Sequence, residues 1–194
     1  MPNKDLRDWV TDLEKNNQLQ IVTGADREEE IGAIVDIQMR QMTNPAVLFD
    51  DIPGYPKGYR VLANILTSVP RINLALDEPI EKSEVELVDY WRTYMKNQPT
   101  HDPIEVNGGP LLDNVYEGKD IDITKIPTPR WHEHDGGYFI GTACMVVMKD
   151  PDSGWINYGA YRVQSQGANT ASLMTSKGKH GDIIRNKYHE KGEP

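Results

Sequence analysis

Apolar and polar positions along the chain change period several times in the first hundred residues, then settle into a strand-like pattern. Leu6, Trp9, Val10 and Leu13 recur at the i, i+3, i+4, i+7 spacing of an amphipathic helix, with Asp5 placed to cap it. A short strand is predicted over 19–22 and is broken by Thr23-Gly24. Asp26 followed three residues later by Glu29 reads as a capping box for a helix over 27–41, with Ile31, Ile34, Val35 and Met39 on one side. Three consecutive glutamates, Glu28 to Glu30, lie near the positive end of that helix dipole and suit a solvated helix start. A strand over 46–52, a turn at Pro53-Gly54-Tyr55-Pro56 and a strand over 59–65 follow. A short helix is expected over 70–76 and a longer one over 83–95, with Val85, Val88, Trp91 and Met95 at helical spacing. The first hundred residues therefore read as a small α/β unit.

The stretch 98–129 is different. It is rich in Pro, Gly, Asn and Asp, and its short apolar pieces at 104–106, 111–112 and 121–126 suggest a linker with short strands. Residues 130–176 read mostly as strand, around a hairpin from Asp135 to Arg162. Gly136-Gly137 opens it, an apolar run over 138–148 forms one arm, and Asp150-Pro151-Asp152-Ser153-Gly154 turns the chain. The second arm, Trp155-Ile156-Asn157-Tyr158-Gly159-Ala160-Tyr161-Arg162, places an amide, a glycine and a guanidinium in one short strand. A buried, unpaired polar group costs about 1–3 kcal/mol, so Asn157 and Arg162 need partners there. Strict alternation sends the two side chains to opposite faces. A bulge at Gly159 would bring both toward one site, and a plain edge strand with a surface arginine fits the pattern equally well. A last helix over 180–190 has Ile183, Ile184 and Tyr188 inward and ends at Gly192, after which the sequence stops at Glu193-Pro194.

Composition narrows the chemistry. Of 194 residues, 38% are apolar and 26% charged, which is the balance of a soluble globular protein. A net charge of −9 argues against nucleic acid and anionic membrane as partners, and requires that any anionic ligand meet a local cluster of cations. Nine Tyr and four Trp against two Phe favour aromatics at wet sites. Cys144 is the single cysteine and lies in an apolar run, where it reads as a small buried hydrophobe; no internal disulfide can form, which suits a reducing, cytoplasmic setting. The polar start of the chain has no secretory pattern, and no apolar run is long enough to span a bilayer.

Two clusters could carry chemistry. His132-Glu133-His134-Asp135 resembles part of a binuclear metallohydrolase site, but only His180 and His189 follow, at spacings unsuited to completing it. Lys177-Gly178-Lys179-His180-Gly181 puts two lysines, two glycines and a histidine at a strand-to-helix junction, where free N–H groups suit a phosphate; an ordinary basic loop is the alternative. Asn157 and His180 can together hold a divalent ion, that ion can bridge to a phosphate, and Arg162 can grip a carboxylate with two parallel hydrogen bonds. No P-loop, dinucleotide-binding, nucleophile-elbow or Cys-x-x-Cys motif is present.

Three stretches carry a family resemblance. They are His132 through Thr142 (HEHDGGYFIGT), Asn157 through Arg162 (NYGAYR), and Lys179-His180-Gly181 with the helix leading to Gly192-Glu193-Pro194. Pro45-Ala46-Val47-Leu48-Phe49 through Gly54-Tyr55-Pro56 adds to them. The sequence resembles the UbiD-type decarboxylases, which use prenylated FMN and reversibly decarboxylate aromatic or α,β-unsaturated acids. The resemblance implies an α+β fold: a small N-terminal α/β domain over 1–105, then a flavin-reductase-like split β-barrel begun over 106–194. It implies Asn157 and His180 as ligands of a Mn²⁺ ion that bridges the cofactor phosphate, and the Tyr158 carbonyl as a ligand of K⁺. Thr142, Ala160, Tyr161, Arg162, Met174, Thr175, Ser176 and Lys179 would line the prenyl-FMN, and Arg162 would face the substrate carboxylate as the catalytic residue. The position of Lys179 carries other polar residues elsewhere in the family.

Family chains run well past this length. The remaining metal ligand, a glutamate, and the acidic residues that pair with the arginine and donate the proton are expected beyond residue 194, so the resemblance implies an N-terminal or cofactor-binding portion of such an enzyme. It also implies a flavin prenyltransferase as cofactor supplier and a homo-oligomer for the whole protein. Two readings compete with an enzyme: a flavin-binding module without chemistry of its own, and a structural subunit of a larger carboxylase.

Overall fold

The computed structural model describes residues 5–99, 104 and 106–193. The fold is mixed α+β with two separate three-stranded sheets. By packing, the residues fall into two units: the first lies within 1–23, 34–50 and 60–120, the second within 24–33, 51–59 and 121–194. Glu105, at the expected domain boundary and within the expected 104–106 strand, and the closing Pro194 lie outside the described residues. Among the described residues no helix is long and apolar enough to cross a membrane.

In the first unit, helix α1 (Leu6–Lys15) is capped as its sequence predicts, with the Asp5 carboxylate accepting from the N–H groups of Arg7 at 2.7 Å and Asp8 at 3.1 Å. Strands β1 (Leu19–Thr23), β2 (Ala46–Asp50) and β3 (Val61–Ala63) form a sheet in that order, β1 parallel and β3 antiparallel to β2. Helix α2 (Glu30–Met39) lies in the connection between the two parallel strands, as a parallel crossover requires. Central β2 is the apolar run Ala46-Val47-Leu48-Phe49, buried along its length. Trp9 and Leu13 of α1 join Ala46 in a core cluster with Leu19, Leu62, Leu74 and Ala75 packed against it. Burying a side chain such as Leu13 or Phe49 contributes about 1.5–3 kcal/mol, which holds this sheet under its helix.

Helix α2 starts at Glu30, three residues later than expected, and the capping box is rearranged. Asp26 accepts from the N–H groups of Glu28 and Glu29, but the carboxylate that returns to the Asp26 N–H is that of Glu30, at 2.9 Å. Residues 27–29 form a turn in which the Ile31 N–H reaches back to the Asp26 carbonyl. Helix α3 (Val69–Ala75) follows β3, and helix α4 (Glu84–Asn97) begins with a full Ser83–Glu86 capping box. The apolar stripe of α4 faces solvent: Val85 is 79% and Val88 63% exposed, whereas Leu87 is buried. Among the described residues the 98–129 stretch forms no strand. The apolar pieces at 111–112 and 121–126 fall in or beside 3₁₀ turns at Pro110–Leu112, Gly118–Asp120 and Ile123–Lys125.

The second unit is built on an antiparallel sheet of β4 (Phe139–Lys149), β5 (Ile156–Ser165) and β6 (Ala171–Leu173), in that order, with helix α5 (His180–Glu190) after it. Two segments from early in the sequence complete it. The Arg130 N–H donates to the Arg27 carbonyl at 2.8 Å, the Tyr138 hydroxyl donates to Glu28 at 2.7 Å, and the Arg27 guanidinium lies 3.9 Å from the centre of the Tyr138 ring. The Trp131 carbonyl packs so closely on Gly32 that no Cβ fits there. Helix α5 ends as its sequence predicts, with Gly192 at φ +71° and its N–H on the His189 carbonyl. Ile184 is buried, but Ile183, expected inward, is half exposed.

The bulge is not at Gly159, which pairs in register with Val146. The irregularities lie on the partner strand, between Phe139 and Gly141 and between Gly141 and Cys144. Gly141 accommodates the Cys144 thiol where a side chain would strike it. Gly159 is glycine for a different reason: the Tyr161 ring lies over it.

Candidate functional site

Along β5, the side chains alternate regularly. Asn157, Gly159 and Tyr161 share the more buried face, and Tyr158, Ala160 and Arg162 share the exposed one. Both sets nevertheless line one hollow of about 480 Å³. The reason is an open strand edge. On one side, Asn157 to Tyr161 pair with β4; on the other, β6 stops pairing at Val163. One long contact, from the Met174 N–H to the Arg162 carbonyl at 3.4 Å, carries the chain away from that edge. The hollow lies along this uncovered stretch, with the 174–179 loop and the start of α5 as its far wall.

Of the residues singled out in the sequence, Asn157, Tyr158, Ala160, Tyr161 and Arg162 line the hollow from β5, Thr142 from β4, and Met174, Ser176, Lys179 and His180 from the far wall. Thr175 does not; its hydroxyl accepts a 2.6 Å hydrogen bond from Arg185 instead. Asn157 is 5% exposed, and its amide nitrogen is buried with no hydrogen-bond partner among the described residues. Buried amides are nearly always paired, which sets this one apart from its neighbours on β5. The Trp155 and His180 rings meet at right angles, centroids 5.0 Å apart.

Three groups of contacts that the sequence pattern does not reveal hold the far wall and α5 in place. Asp182 accepts from the Gly178 N–H at 2.9 Å and from Arg185 at 2.5 Å, and Arg185 reaches Thr175, so the loop is tied to the first turns of α5. The Tyr161 hydroxyl accepts from the Gly181 N–H at 3.1 Å, tying the helix start to β5. The hairpin turn holds the other end of α5: Lys187 donates to Asp150 at 2.6 Å and lies 3.0 Å from Asp152, and Lys191 donates to Asp152 at 2.7 Å. Asp150 also accepts from the N–H groups of Asp152 and Ser153. Lys187, with these N–H groups, holds the Asp150 carboxyl well below the usual carboxylate range, and Asp150 in turn raises Lys187. A sequence signal existed for part of this, since Asp182 lies four residues after Gly178, within reach of its N–H.

Chemically, the hollow is a cationic recess in an acidic chain. Arg162, Lys179 and His180 line it, and among the described residues no Asp or Glu does. Its far wall includes the start of an eleven-residue helix, where N–H groups and the helix dipole favour an anion. Asn157 and His180 offer a carbonyl oxygen and an imidazole nitrogen, a mixed donor pair that first-row divalent ions accept. Among the described residues no three His, Cys, Asp or Glu side chains group into a complete metal site. The His132–Asp135 segment is a turn, in which Asp135 accepts from the N–H groups of Trp131 and His132.

Known proteins place this architecture. Residues 10–91 match the 3-octaprenyl-4-hydroxybenzoate carboxy-lyase N-terminal domain, and residues 104–194 match the Rift-related domain of the same carboxy-lyase. The pyrrole-2-carboxylic acid decarboxylase of Pseudomonas aeruginosa is 30% identical over 98% of this chain, which covers 40% of that enzyme. The vanillic acid decarboxylase of Sedimentibacter hydroxybenzoicus in its closed form superposes with a TM-score of 0.91 at 26% identity, over all of this chain and 42% of that one. An evolved dimeric form of the UbiD-class enzyme HmfF from Pelotomaculum thermopropionicum, solved with prFMN, shares the fold with a TM-score of 0.81 at 24% identity, over 99% of this chain and 43% of that one. The chain thus spans about 40% of the length of the relatives it matches. With the N-terminal and Rift-related models of one family matching in sequence order over nearly all of its length, this chain belongs to the UbiD family of carboxy-lyases.

Proposed function

We propose that this chain is the cofactor-cradling portion of a prenyl-FMN-dependent enzyme that reversibly decarboxylates aromatic or α,β-unsaturated carboxylic acids. The observation that carries the proposal is the convergence of Asn157, Arg162, Lys179 and His180 on one hollow, with the buried Asn157 amide left unpartnered. On this reading the Asn157 amide oxygen and the His180 imidazole are two ligands of a Mn²⁺ ion, and the cofactor phosphate completes the bridge. Lys179 and the N–H groups at the start of α5 neutralise that phosphate. The unpartnered Asn157 N–H finds its acceptor there. The Tyr158 carbonyl contributes to a K⁺ site. Thr142, Ala160, Tyr161, Met174 and Ser176 line the cofactor, and Thr175, outside the hollow with its hydroxyl held by Arg185, is left out of that lining.

Prenylated FMN, when bound, supplies the electron sink for the pair left behind as CO₂ departs. The chain's own residues do the rest of what the hollow can do. Arg162 is exposed on the open face of β5, where its guanidinium can grip a carboxylate through two parallel hydrogen bonds and fix the acid's orientation. Among the described residues no carboxylic acid lines the hollow, so on this reading the hollow orients and neutralises and does not itself donate the proton. The antiparallel β4–β5–β6 sheet is then the start of a flavin-reductase-like split β-barrel, in a cytoplasmic homo-oligomer that receives its cofactor from a flavin prenyltransferase.

The test is the whole protein, produced together with a flavin prenyltransferase. The expected result is a prenyl-flavin absorbance band, about one Mn per chain and CO₂ release from an aryl or unsaturated acid. Arg162→Ala is expected to lose turnover by about 10²–10³-fold, the magnitude for one lost charge-stabilising contact, while keeping the absorbance band. Wild-type turnover in Arg162→Ala would remove the carboxylate role. Absence of both metal and flavin would remove the reading as a whole.

A further inference from the structure

The Tyr161 side chain lies on the Asn157 face of β5, opposite Arg162. Its ring covers Gly159 so closely that a Cβ there would overlap it. Its hydroxyl accepts from the Gly181 N–H at 3.1 Å, and Gly181 also lacks room for a Cβ, which would strike the same hydroxyl and Met148. Two glycines thus make space for one ring, and that ring spans from β5 to the second residue of α5. His180 precedes Gly181 directly, and Asn157 lies four residues before Tyr161, on its face. We infer that Tyr161 is a positioning residue for the ion site: its ring and hydroxyl set the spacing between the Asn157 amide and the His180 imidazole.

This inference rests on the ion site proposed above. It assigns the Tyr161 side chain to holding the far wall, and it leaves the main chain of Tyr161 for the cofactor. Other anchors of α5, at Asp150–Lys187 and Asp182–Arg185, act on the later turns or the preceding loop. The Tyr161–Gly181 bond is the contact that reaches the backbone next to His180.

The experiment is a titration of the full protein with MnCl₂ in the presence of FMN, followed by free-Mn²⁺ electron paramagnetic resonance and by quenching of Trp155, which meets His180 at right angles. Tyr161→Phe keeps the ring and removes the acceptor. A hydrogen bond of ordinary strength corresponds to an expected weakening of Mn²⁺ binding of about five-fold, with the thermal midpoint within a few degrees of wild type. Gly181→Ala attacks the same contact from the helix side and is expected to weaken binding in the same direction. The double variant Tyr161→Phe/His180→Ala separates positioning from general support, because a residue that acts through His180 adds nothing once His180 is gone. Equal Mn²⁺ affinity in wild type and Tyr161→Phe would overturn the inference, as would a further loss from Tyr161→Phe on the His180→Ala background. If wild type itself binds no Mn²⁺ with FMN, it is the ion-site reading that falls.

Discussion

Asn157→Leu sets stability against ligand binding, and the structure fixes both signs. Asn157 is 5% exposed, its amide nitrogen has no partner among the described residues, and it borders a hollow of about 480 Å³. A buried donor without an acceptor costs about 1–3 kcal/mol, and leucine has nearly the same branched shape without the polar atoms. The adjoining hollow gives the larger methyl groups room, so overpacking is small. The ligand-free variant is therefore expected to be more stable than wild type by about 1–3 kcal/mol. For a chain of this size each kcal/mol moves the thermal midpoint by about 2–4 °C, so the midpoint should rise by roughly 2–12 °C. With MnCl₂ and FMN added, wild type should gain stability in proportion to the ligand bound, and the variant should gain little. Thermal denaturation followed by circular dichroism, with and without the two ligands, reads both effects. A ligand-free variant that melts below wild type would show that the amide is a structural hydrogen-bonding group, and the ligand role would lose its basis.

Gly159→Ala is expected to force the Tyr161 ring off its seat, with an overpacking cost of about 1–3 kcal/mol and weaker Mn²⁺ binding; a midpoint within one degree of wild type would contradict this. The clamp between the hairpin turn and α5 is expected to respond to acid. Asp150 has a lowered folded-state pKa, so its contribution is complete above the ordinary value of 3.8 and is lost as pH falls below it, while the raised Lys187 keeps its own contribution through neutral pH and loses it only above the usual lysine range. Asp150→Asn should therefore flatten the fall in thermal midpoint between about pH 5 and pH 2, and an unchanged acid profile would count against the clamp.

Much of the fold was legible because it rests on local chemistry. Asp5 caps α1, Ser83 and Glu86 box the start of α4, and Gly192 closes α5, each as its sequence implies. Where three glutamates follow one another, local rules could not tell that Glu30 rather than Glu29 returns to Asp26. Helical spacing on α4 identified an apolar stripe but not which face has a packing partner, and Leu87, off that stripe, is the buried residue. In the site, Asn157, Arg162 and His180 stood out because polar groups in a strand and cations beside glycines need a purpose. How they meet is less legible. The pattern left a bulge at Gly159 and a plain edge strand equally open, whereas in the structure the short β6 leaves one edge of β5 open so that both faces reach the hollow. The support supplied by Tyr161 is a single long-range contact that no periodicity encodes, and those of Asp182 and Arg185 are local side-chain bonds of which only the Asp182–Gly178 spacing left a signal.

The most direct measurement of the central claim is pulsed electron paramagnetic resonance of Mn²⁺ bound to the full protein with FMN. The account predicts nuclear modulation from an imidazole nitrogen, present in wild type and absent in His180→Ala. Bound Mn²⁺ without nitrogen modulation, or modulation that survives His180→Ala, would contradict it.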